Sequence, residues 1–154
     1  MNRLLLFALL LAGCAAPPRS QRPDHPMERA QIQLRLNEIM DAAVKKDLPR
    51  LESYHLYGPK FSKFSPESPN RQDAAVARKG EHDGLTGANG LAMRADDLKI
   101  DLFGNVGIAT FVLNYSFKTG TGIIEKKART TMVFVKDHGS WKITHEHLSA
   151  FPAS

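Results

Sequence analysis

The stretch "LKIDLFGNVGIATFVLNYSF", residues 98–117, decides the fold. Apolar and polar residues alternate on both sides of Gly104-Asn105, as they do in half-buried β-strands. Gly-Asn between two such runs is a signal for a two-residue hairpin, which pairs Phe103 with Val106. This register predicts one core-facing side of the hairpin, made of Leu98, Ile100, Leu102, Ala109, Phe111, Leu113, Tyr115 and Phe117.

Two further strands are predicted downstream of this hairpin. The runs "KKARTTMVFVK", residues 126–136, and "SWKITHEHLSAF", residues 140–151, are separated by a short turn with a glycine at Gly139. Both runs contain the β-branched and aromatic residues that strands prefer. Strands joined by such short connections pair antiparallel, so the sequence predicts a four-stranded meander.

Helices precede the meander. "MERAQIQLRLNEIMDAAVKKD", residues 27–47, carries one apolar stripe at helical spacing, made of Ile32, Leu36, Ile39, Met40 and Ala43. Lys45 and Lys46 suit the negative end of this helix, and Asp47 can cap a second short helix that buries Leu48 and Leu51. Helices followed by a meander predict an α+β domain, with a curved antiparallel sheet packed on N-terminal helices.

Residues 57–95 give a weaker pattern. Three prolines break the first part, in which Phe61 and Phe64 are predicted to anchor a loop. One short helix is predicted from a cap at Asn70 to Gly80, and the glycine-rich part after it gives no clear prediction. So long an irregular stretch in a small domain often covers a functional site.

The N-terminal sequence predicts the cellular location of the protein. "MNRLLLFALLLAGC", residues 1–14, has a basic start and a short apolar run, which is typical of a secretory signal peptide too short to span a bilayer. "LAGC" at 11–14 resembles the bacterial lipobox, which implies a signal peptide over 1–13 and a lipid such as palmitate on Cys14. The next residue is Ala15, not aspartate, and by the same resemblance this implies the outer membrane.

The residues after Cys14 predict a tether. "AAPPRSQRPDHP", residues 15–26, has four prolines in twelve positions and cannot pack a core, so the folded domain is predicted over 27–154. Cys14 is the only cysteine, which excludes a disulfide within the chain. The net charge is +5, and the basic residues are scattered. This scatter and the predicted address argue against a nucleic-acid partner.

The last strand carries the most specific resemblance. "DHGSWKITHEHLS", residues 137–149, preceded by a helix, a loop and the other strands, resembles the NTF2-like superfamily and in particular its SnoaL-like branch. The resemblance covers residues 27–151 and implies a cone-shaped fold with a deep pocket between sheet and helices. Members of the superfamily include isomerases, cyclases, dehydratases and proteins that only bind or dimerise, so the fold leaves the function open.

The turn before the last strand sets which residues share a face. A three-residue turn at 137–139 pairs Lys136 with Ser140 and places Arg129 opposite His147. A two-residue turn instead places Arg129 on the other face. The glycine position favours the first register, which gathers on one face the opposed pairs Val135 and Trp141, Val133 and Ile143, Thr131 and His145, and Arg129 and His147, followed by Ser149.

Three interpretations of the polar end of this face compete. A metal site is disfavoured, because Arg129 repels a cation and no third ligand is evident beside His145 and His147. A ligand pocket is favoured, because Arg129 suits a carboxylate or phosphate and the histidines add hydrogen-bonding groups. In the third interpretation the histidines have a structural role and form hydrogen bonds with neighbouring residues at the end of the sheet or at a dimer interface. The predicted pocket residues are Arg129, Thr131, His145, His147, Ser149, Tyr115 and Tyr57.

The sequence therefore predicts an outer-membrane lipoprotein that faces the periplasm and binds a small anionic molecule, without metal or cofactor. Two alternatives stay open. One is a SnoaL- or isomerase-type enzyme that uses a pocket histidine, with His145 and His147 as the best candidates for acid–base catalysis. The other is a dimerisation or assembly module. The predicted partners are the membrane, through the N-terminal lipid, a small ligand, and in the second alternative another copy of the chain.

Overall fold

The computed structural model describes residues 25–151, which contain three helices and six strands. The predicted signal peptide and Cys14 lie outside this range. None of the helices within it is both long and apolar enough to cross a membrane. The elements are α1 (Pro26–Lys45), α2 (Leu48–Ser53), β1 (Ser62–Ser65), β2 (Ser68–Gln72), α3 (Ala74–Gly87), β3 (Asn89–Phe103), β4 (Val106–Thr119), β5 (Gly122–Asp137) and β6 (Ser140–Ala150).

The six strands form one curved sheet in the order β2-β1-β6-β5-β4-β3. The predicted meander is confirmed, since β3, β4, β5 and β6 pair antiparallel in sequence order. The sheet is mixed, because β1 pairs parallel with β6. The α+β prediction is confirmed, with one side of the sheet packed on the helices. We call this the inner face and the opposite side the outer face.

The first two helices form as predicted. Asp47 caps α2, where its carboxylate accepts a hydrogen bond from the Arg50 backbone N–H at 3.2 Å. Leu51 is buried and Leu48 is half-buried. Of the predicted stripe in α1, Met40 is half-buried and the others are buried against the sheet: Ile32, Leu36, Ile39 and Ala43.

The central hairpin also has the predicted register. Phe103 pairs with Val106, and Ile100 pairs with Ala109. The inner face of this hairpin is buried at Ile100, Ala109 and Phe111. Farther from the turn the register of β3 shifts between Asp96 and Lys99, so the alternation of inward and outward side chains changes there.

The middle of the chain is more regular than predicted. The predicted helix at 70–80 is wrong in its limits, because Asn70 belongs to β2 and α3 begins after Asp73, whose carboxylate accepts a hydrogen bond from the Val76 N–H at 3.0 Å. The helix continues past Gly80 to Gly87. Its glycines at 80, 84 and 87 face open space, and the helix continues through them despite the weak helix propensity of glycine.

The two predicted loop anchors have different environments. Phe61 is 4% exposed and lies in the core, which confirms that prediction. Phe64 is 38% exposed, so its prediction is wrong. It belongs to β1, and parallel pairing places it beside His147 on the outer face, where their ring centroids lie 5.7 Å apart.

The turn between β5 and β6 corrects the predicted register. Asp137 pairs with Ser140, which leaves a two-residue turn of His138 and Gly139. Both residues have positive φ, 45° and 82°, as a hairpin turn that matches the strand twist requires. The predicted three-residue turn is therefore wrong, because His138 as well as Gly139 adopts the left-handed conformation.

A bulge in β6 then changes the faces a second time. Ile143 pairs with Phe134 and His145 pairs with Val133, so Thr144 is an extra residue. Before the bulge, Trp141 and Ile143 face inward and are buried. After it, the inward residue is the buried Glu146, whereas His145 and His147 face outward. The predicted common face of Trp141, Ile143 and the histidines is therefore wrong.

Candidate functional site

The seven residues predicted to line one pocket lie on two sides of the sheet. Tyr57 and Tyr115 are on the inner side and pack against the core. The other five project from the outer face: Arg129, Thr131, His145, His147 and Ser149. The bulge at Thr144 shifts the register of β6, so that Arg129 pairs with Ser149 and Thr131 pairs with His147.

Four of these outer residues line one open depression of about 370 Å³, which we call the outer depression. Arg129 lies at its side, with its guanidinium carbon 4.3 Å from the centroid of the Phe151 ring. Asp97 contributes a carboxylate from the bulge in β3. The remaining polar side chains of the lining are hydroxyls and an imidazole, from Thr110, Thr131, Ser149 and His147.

His145 does not line the outer depression. Its Nδ1 lies 2.9 Å from the Ser62 hydroxyl oxygen on the neighbouring strand β1. This hydrogen bond joins the two strands at the position where they pair. The predicted pair of histidines is therefore divided between a lining residue, His147, and a residue that contacts β1.

A second polar cluster lies on the inner side of the sheet, and we call it the inner cluster. It consists of His55, Tyr57, Lys63, Glu81 and Glu146, contributed by the segment after α2 and by β1, α3 and β6. The side chains of His55 and Glu146 are 1% and 4% exposed. Charged groups this deeply buried require partners, because water no longer solvates them.

Lys63 joins the two carboxylates of the inner cluster. Its Nζ lies 2.6 Å from Glu81 Oε1 and 2.6 Å from Glu146 Oε2. The contact with Glu81 is a hydrogen bond, whereas Glu146 Oε2 accepts no hydrogen bond of normal geometry and its contact with Lys63 is an ion pair. Burial opposes the charge of Lys63, but Glu146 and Glu81 outweigh it and raise the pKa of Lys63.

His55 faces an oxygen acceptor on each side of its ring. Nδ1 lies 3.0 Å from the Leu51 carbonyl oxygen, and Nε2 lies 3.2 Å from Glu146 Oε1. Two acceptors require two N–H donors, so the ring is an imidazolium in this arrangement. Burial disfavours that charge, but the hydrogen bond and charge of Glu146 outweigh burial and raise the pKa of His55.

Glu146 is the most deeply buried carboxylate in this arrangement. Burial opposes its ionisation, but the Lys63 ammonium and the His55 ring outweigh burial and hold the pKa of Glu146 below its ordinary value. Tyr57 completes the cluster: its hydroxyl donates to Glu81 Oε2 at 2.8 Å, and its ring stacks on His55 at 4.8 Å. Burial and then Glu81 raise the pKa of Tyr57. Two cations therefore balance two anions.

Comparison with known families identifies the family of this domain. The sequence profile of the SnoaL-like domain matches residues 32–154. This chain belongs to the SnoaL-like domain family. A comparison with curated protein sequences gives no match.

Solved structures resemble this SnoaL-like domain in fold. A protein of the NTF2-like family from Streptomyces avermitilis is 15% identical with a TM-score of 0.76, covering 83% of this chain and 99% of its own. An NTF2-like superfamily protein from Salmonella enterica is 17% identical with a TM-score of 0.73, covering 84% and 94%. The CaMKII hub of S. rosetta is 21% identical with a TM-score of 0.69, covering 84% and 99%. The predicted NTF2-like cone is confirmed.

The inner cluster of this SnoaL-like domain was missed by reasoning from sequence. Glu146 lies on the face opposite His145 and His147, and that face is the interior and not the solvent side. His55, Lys63 and Glu81 carry no pattern that predicts burial. The period-two alternation of Trp141 and Ile143 continues to His145 and not to Glu146, so it gives no signal for the burial of Glu146.

Proposed function

We propose that this protein is a lipid-anchored outer-membrane protein whose SnoaL-like domain binds a small organic anion in the outer depression, on the periplasmic side. The observation that carries the proposal is the placement of Arg129 beside His147, Thr131 and Ser149 around one depression. A guanidinium offers several donors in a plane that suits a carboxylate or phosphate, and neighbouring hydroxyls extend the set.

The dimensions of the outer depression support a small ligand. Its volume of about 370 Å³ lies near the lower end of ordinary ligand pockets, ~300–1,000 Å³. The Phe151 ring against Arg129 adds an apolar surface, which favours an organic anion with a flat or aromatic part. Asp97 at the same depression disfavours a second negative charge, so a monoanion is the better match.

The proposed binding is tested by titrating the purified protein with benzoate and, separately, with inorganic phosphate. We expect benzoate to bind more tightly, and Arg129→Ala to weaken its binding by about tenfold or more, because hydrogen bonds to charged groups contribute about 1.5–3 kcal/mol. Arg94→Ala is the matched control, since Arg94 is exposed on β3 and pairs with Asp96 at 2.7 Å. Equal binding by Arg129→Ala and the wild type would contradict the proposal.

The proposed location at the outer membrane is supported by the sequence of residues 1–26. The lipobox at 11–14 and the proline-rich tether support lipidation at Cys14. Cys14→Ser removes the acceptor, so the variant should leave the membrane fraction and lose incorporation of labelled palmitate. Co-sedimentation of this variant with outer membranes would show that the anchor is not a lipid on Cys14.

A second candidate function, assembly, is favoured by the hairpin end of the outer face. Four half-buried aliphatic residues form two cross-strand pairs there, Val106 with Val135 and Ile108 with Val133. Such a surface suits contact with a second copy of the chain. Sedimentation analysis should then give a dimer for the wild type and a monomer for Val133→Lys. A wild-type monomer at high protein concentration would exclude this candidate.

The isomerase-type alternative requires a histidine in an enclosed site. His147 is exposed on the outer face, and His145 bonds to Ser62. The enclosed histidine among residues 25–151 is His55, whose two nitrogens already face acceptors, while its carboxylate partner is neutralised by Lys63. A general base needs an unshared lone pair toward its substrate, so anion binding is the better supported function.

A further inference from the structure

We propose that His55, Glu81 and Glu146 form a binding site for one divalent transition-metal ion such as Zn²⁺, in which the metal replaces the Lys63 ammonium and one proton of His55. This site is separate from the outer depression, because it lies on the inner side of the sheet. The proposal therefore does not depend on the anion-binding function.

The ligand atoms have separations that suit a single metal ion. His55 Nε2 lies 3.2 Å from Glu146 Oε1 and 3.9 Å from Glu81 Oε2. Two ligand atoms bound to zinc at ~2.1 Å with a tetrahedral angle are ~3.4 Å apart, so these separations lie on either side of the required value. One atom from each of the three residues lies within 4.8 Å of the others. The widest of these separations must shorten toward ~3.4 Å, and the Lys63 ammonium must leave its position between the carboxylates.

The ligands are already oriented by neighbours outside the site. The Nδ1–H of His55 donates to the Leu51 carbonyl, which directs Nε2 toward the two carboxylates. The Tyr57 hydroxyl donates to Glu81, and the stacked Tyr57 ring fixes the plane of the imidazole. Metal-binding histidines and carboxylates are typically held by hydrogen bonds of this kind.

The exchange keeps the buried charge constant. At present two cationic groups, Lys63 and the His55 ring, oppose two carboxylates. A divalent ion bound to neutral His55 would oppose the same two carboxylates with the same total charge. Burial of net charge is the main cost in a buried site, and this exchange adds none.

Lys63 lies at the edge of the inner cluster that is nearest to solvent. Its side chain and that of Glu81 are 13% and 14% exposed, so the cluster reaches the surface between β1 and α3. A lysine can extend its charged end to water while its stem remains packed. When Lys63 leaves, Glu146 Oε2 loses its ion pair at 2.6 Å, and the metal takes over the compensation of this buried carboxylate.

The test uses the full chain, purified in detergent, stripped with EDTA and titrated with Zn²⁺ by calorimetry. We expect one Zn²⁺ per chain, and a weakening of about 100-fold in His55→Ala and in Glu146→Gln. Lys63→Met should bind Zn²⁺ about tenfold more tightly or better, because it removes a competing cation. An X-ray absorption spectrum of the Zn²⁺ complex should show only nitrogen and oxygen ligands.

A surface cluster provides the matched control. His82 contacts Glu52, which also pairs with Arg78, and the His82 side chain is 37% exposed. His82→Ala and His147→Ala should leave Zn²⁺ binding unchanged. Stoichiometric binding that is lost in either of these variants and retained in Glu146→Gln would overturn the proposal. So would the absence of Zn²⁺ binding in both the wild type and Lys63→Met, when circular dichroism shows both to be folded.

Discussion

His55 and Glu146 are 91 positions apart in the chain, and yet His55 Nε2 lies 3.2 Å from Glu146 Oε1 inside the domain. The pair joins the segment after α2 to the last strand, and Lys63 and Glu81 complete its charge balance. This arrangement is costly to disrupt, because removal of one partner leaves another charge buried and unpaired.

A first prediction concerns this charge balance. Glu146→Gln should destabilise the metal-free protein by about 3–5 kcal/mol, because Lys63 and His55 lose a buried counter-charge. Lys63→Met should also destabilise the protein. The double variant should lose less free energy of unfolding than the sum of the losses in the two single variants. Chemical denaturation of the four proteins measures the coupling. Lys79→Met is the control, since its pair with Asp83 is exposed and should contribute less than about 0.5 kcal/mol. Strict additivity of Glu146→Gln and Lys63→Met would contradict the prediction.

A second prediction concerns pH. The pKa of Glu146 is lowered on folding, so its contribution to stability is present above its ordinary value of 4.5 and is lost as pH falls through the lowered pKa. The pKa of His55 is raised, so its contribution is present below 6.5 and is lost as pH rises through the raised pKa. In thermal melts with EDTA, the melting temperatures of the wild type and Glu146→Gln should therefore differ most in the range from pH 4.5 to 6.5. A difference that is constant from pH 3 to 9 would argue against the arrangement.

A third prediction concerns Trp141. The indole is 3% exposed on the inner face, and its Nε1–H donates to Gln31 Oε1 at 3.2 Å. Trp141→Ala should lower the free energy of unfolding by about 3–5 kcal/mol, because it opens a cavity in the core. Val135→Ala, on the outer face of the adjoining strand, should cost less than about 1 kcal/mol. Urea denaturation measures both, and similar losses would mean that the assigned faces are wrong.

A fourth prediction concerns two glycines. A Cβ atom on Gly107 would lie 2.2 Å from Ile32 Cδ1, and Ile32 is fully buried, so it has no room to move away. Gly107→Ala should therefore destabilise the domain by about 1–3 kcal/mol. Gly84 lies within α3 with open space around its Cα, so Gly84→Ala should stabilise by about 0.5–1 kcal/mol. Thermal denaturation of the two variants should give shifts of opposite sign. A stabilising Gly107→Ala would show that α1 does not pack on this strand.

Sequence by itself determined the features that depend on neighbouring residues. The period of 3.6 in α1 and the period of two after Leu98 predicted α+β, and Gly104-Asn105 fixed the register of one hairpin. The cap at Asp47 was likewise readable. These features are local, because each is set by residues within a few positions of one another.

Only the tertiary structure decided which side of β6 faces the core. The two-residue turn at His138-Gly139 shifts the register of β6 by one residue from the predicted three-residue turn. The bulge at Thr144 shifts it by one more residue, and each shift exchanges the two faces of the strand. The combined effect of the two shifts cannot be predicted from any local sequence pattern. The inner cluster was hidden for a related reason: its members come from four separate segments, and their charges are tolerated inside the domain only because the fold brings them together.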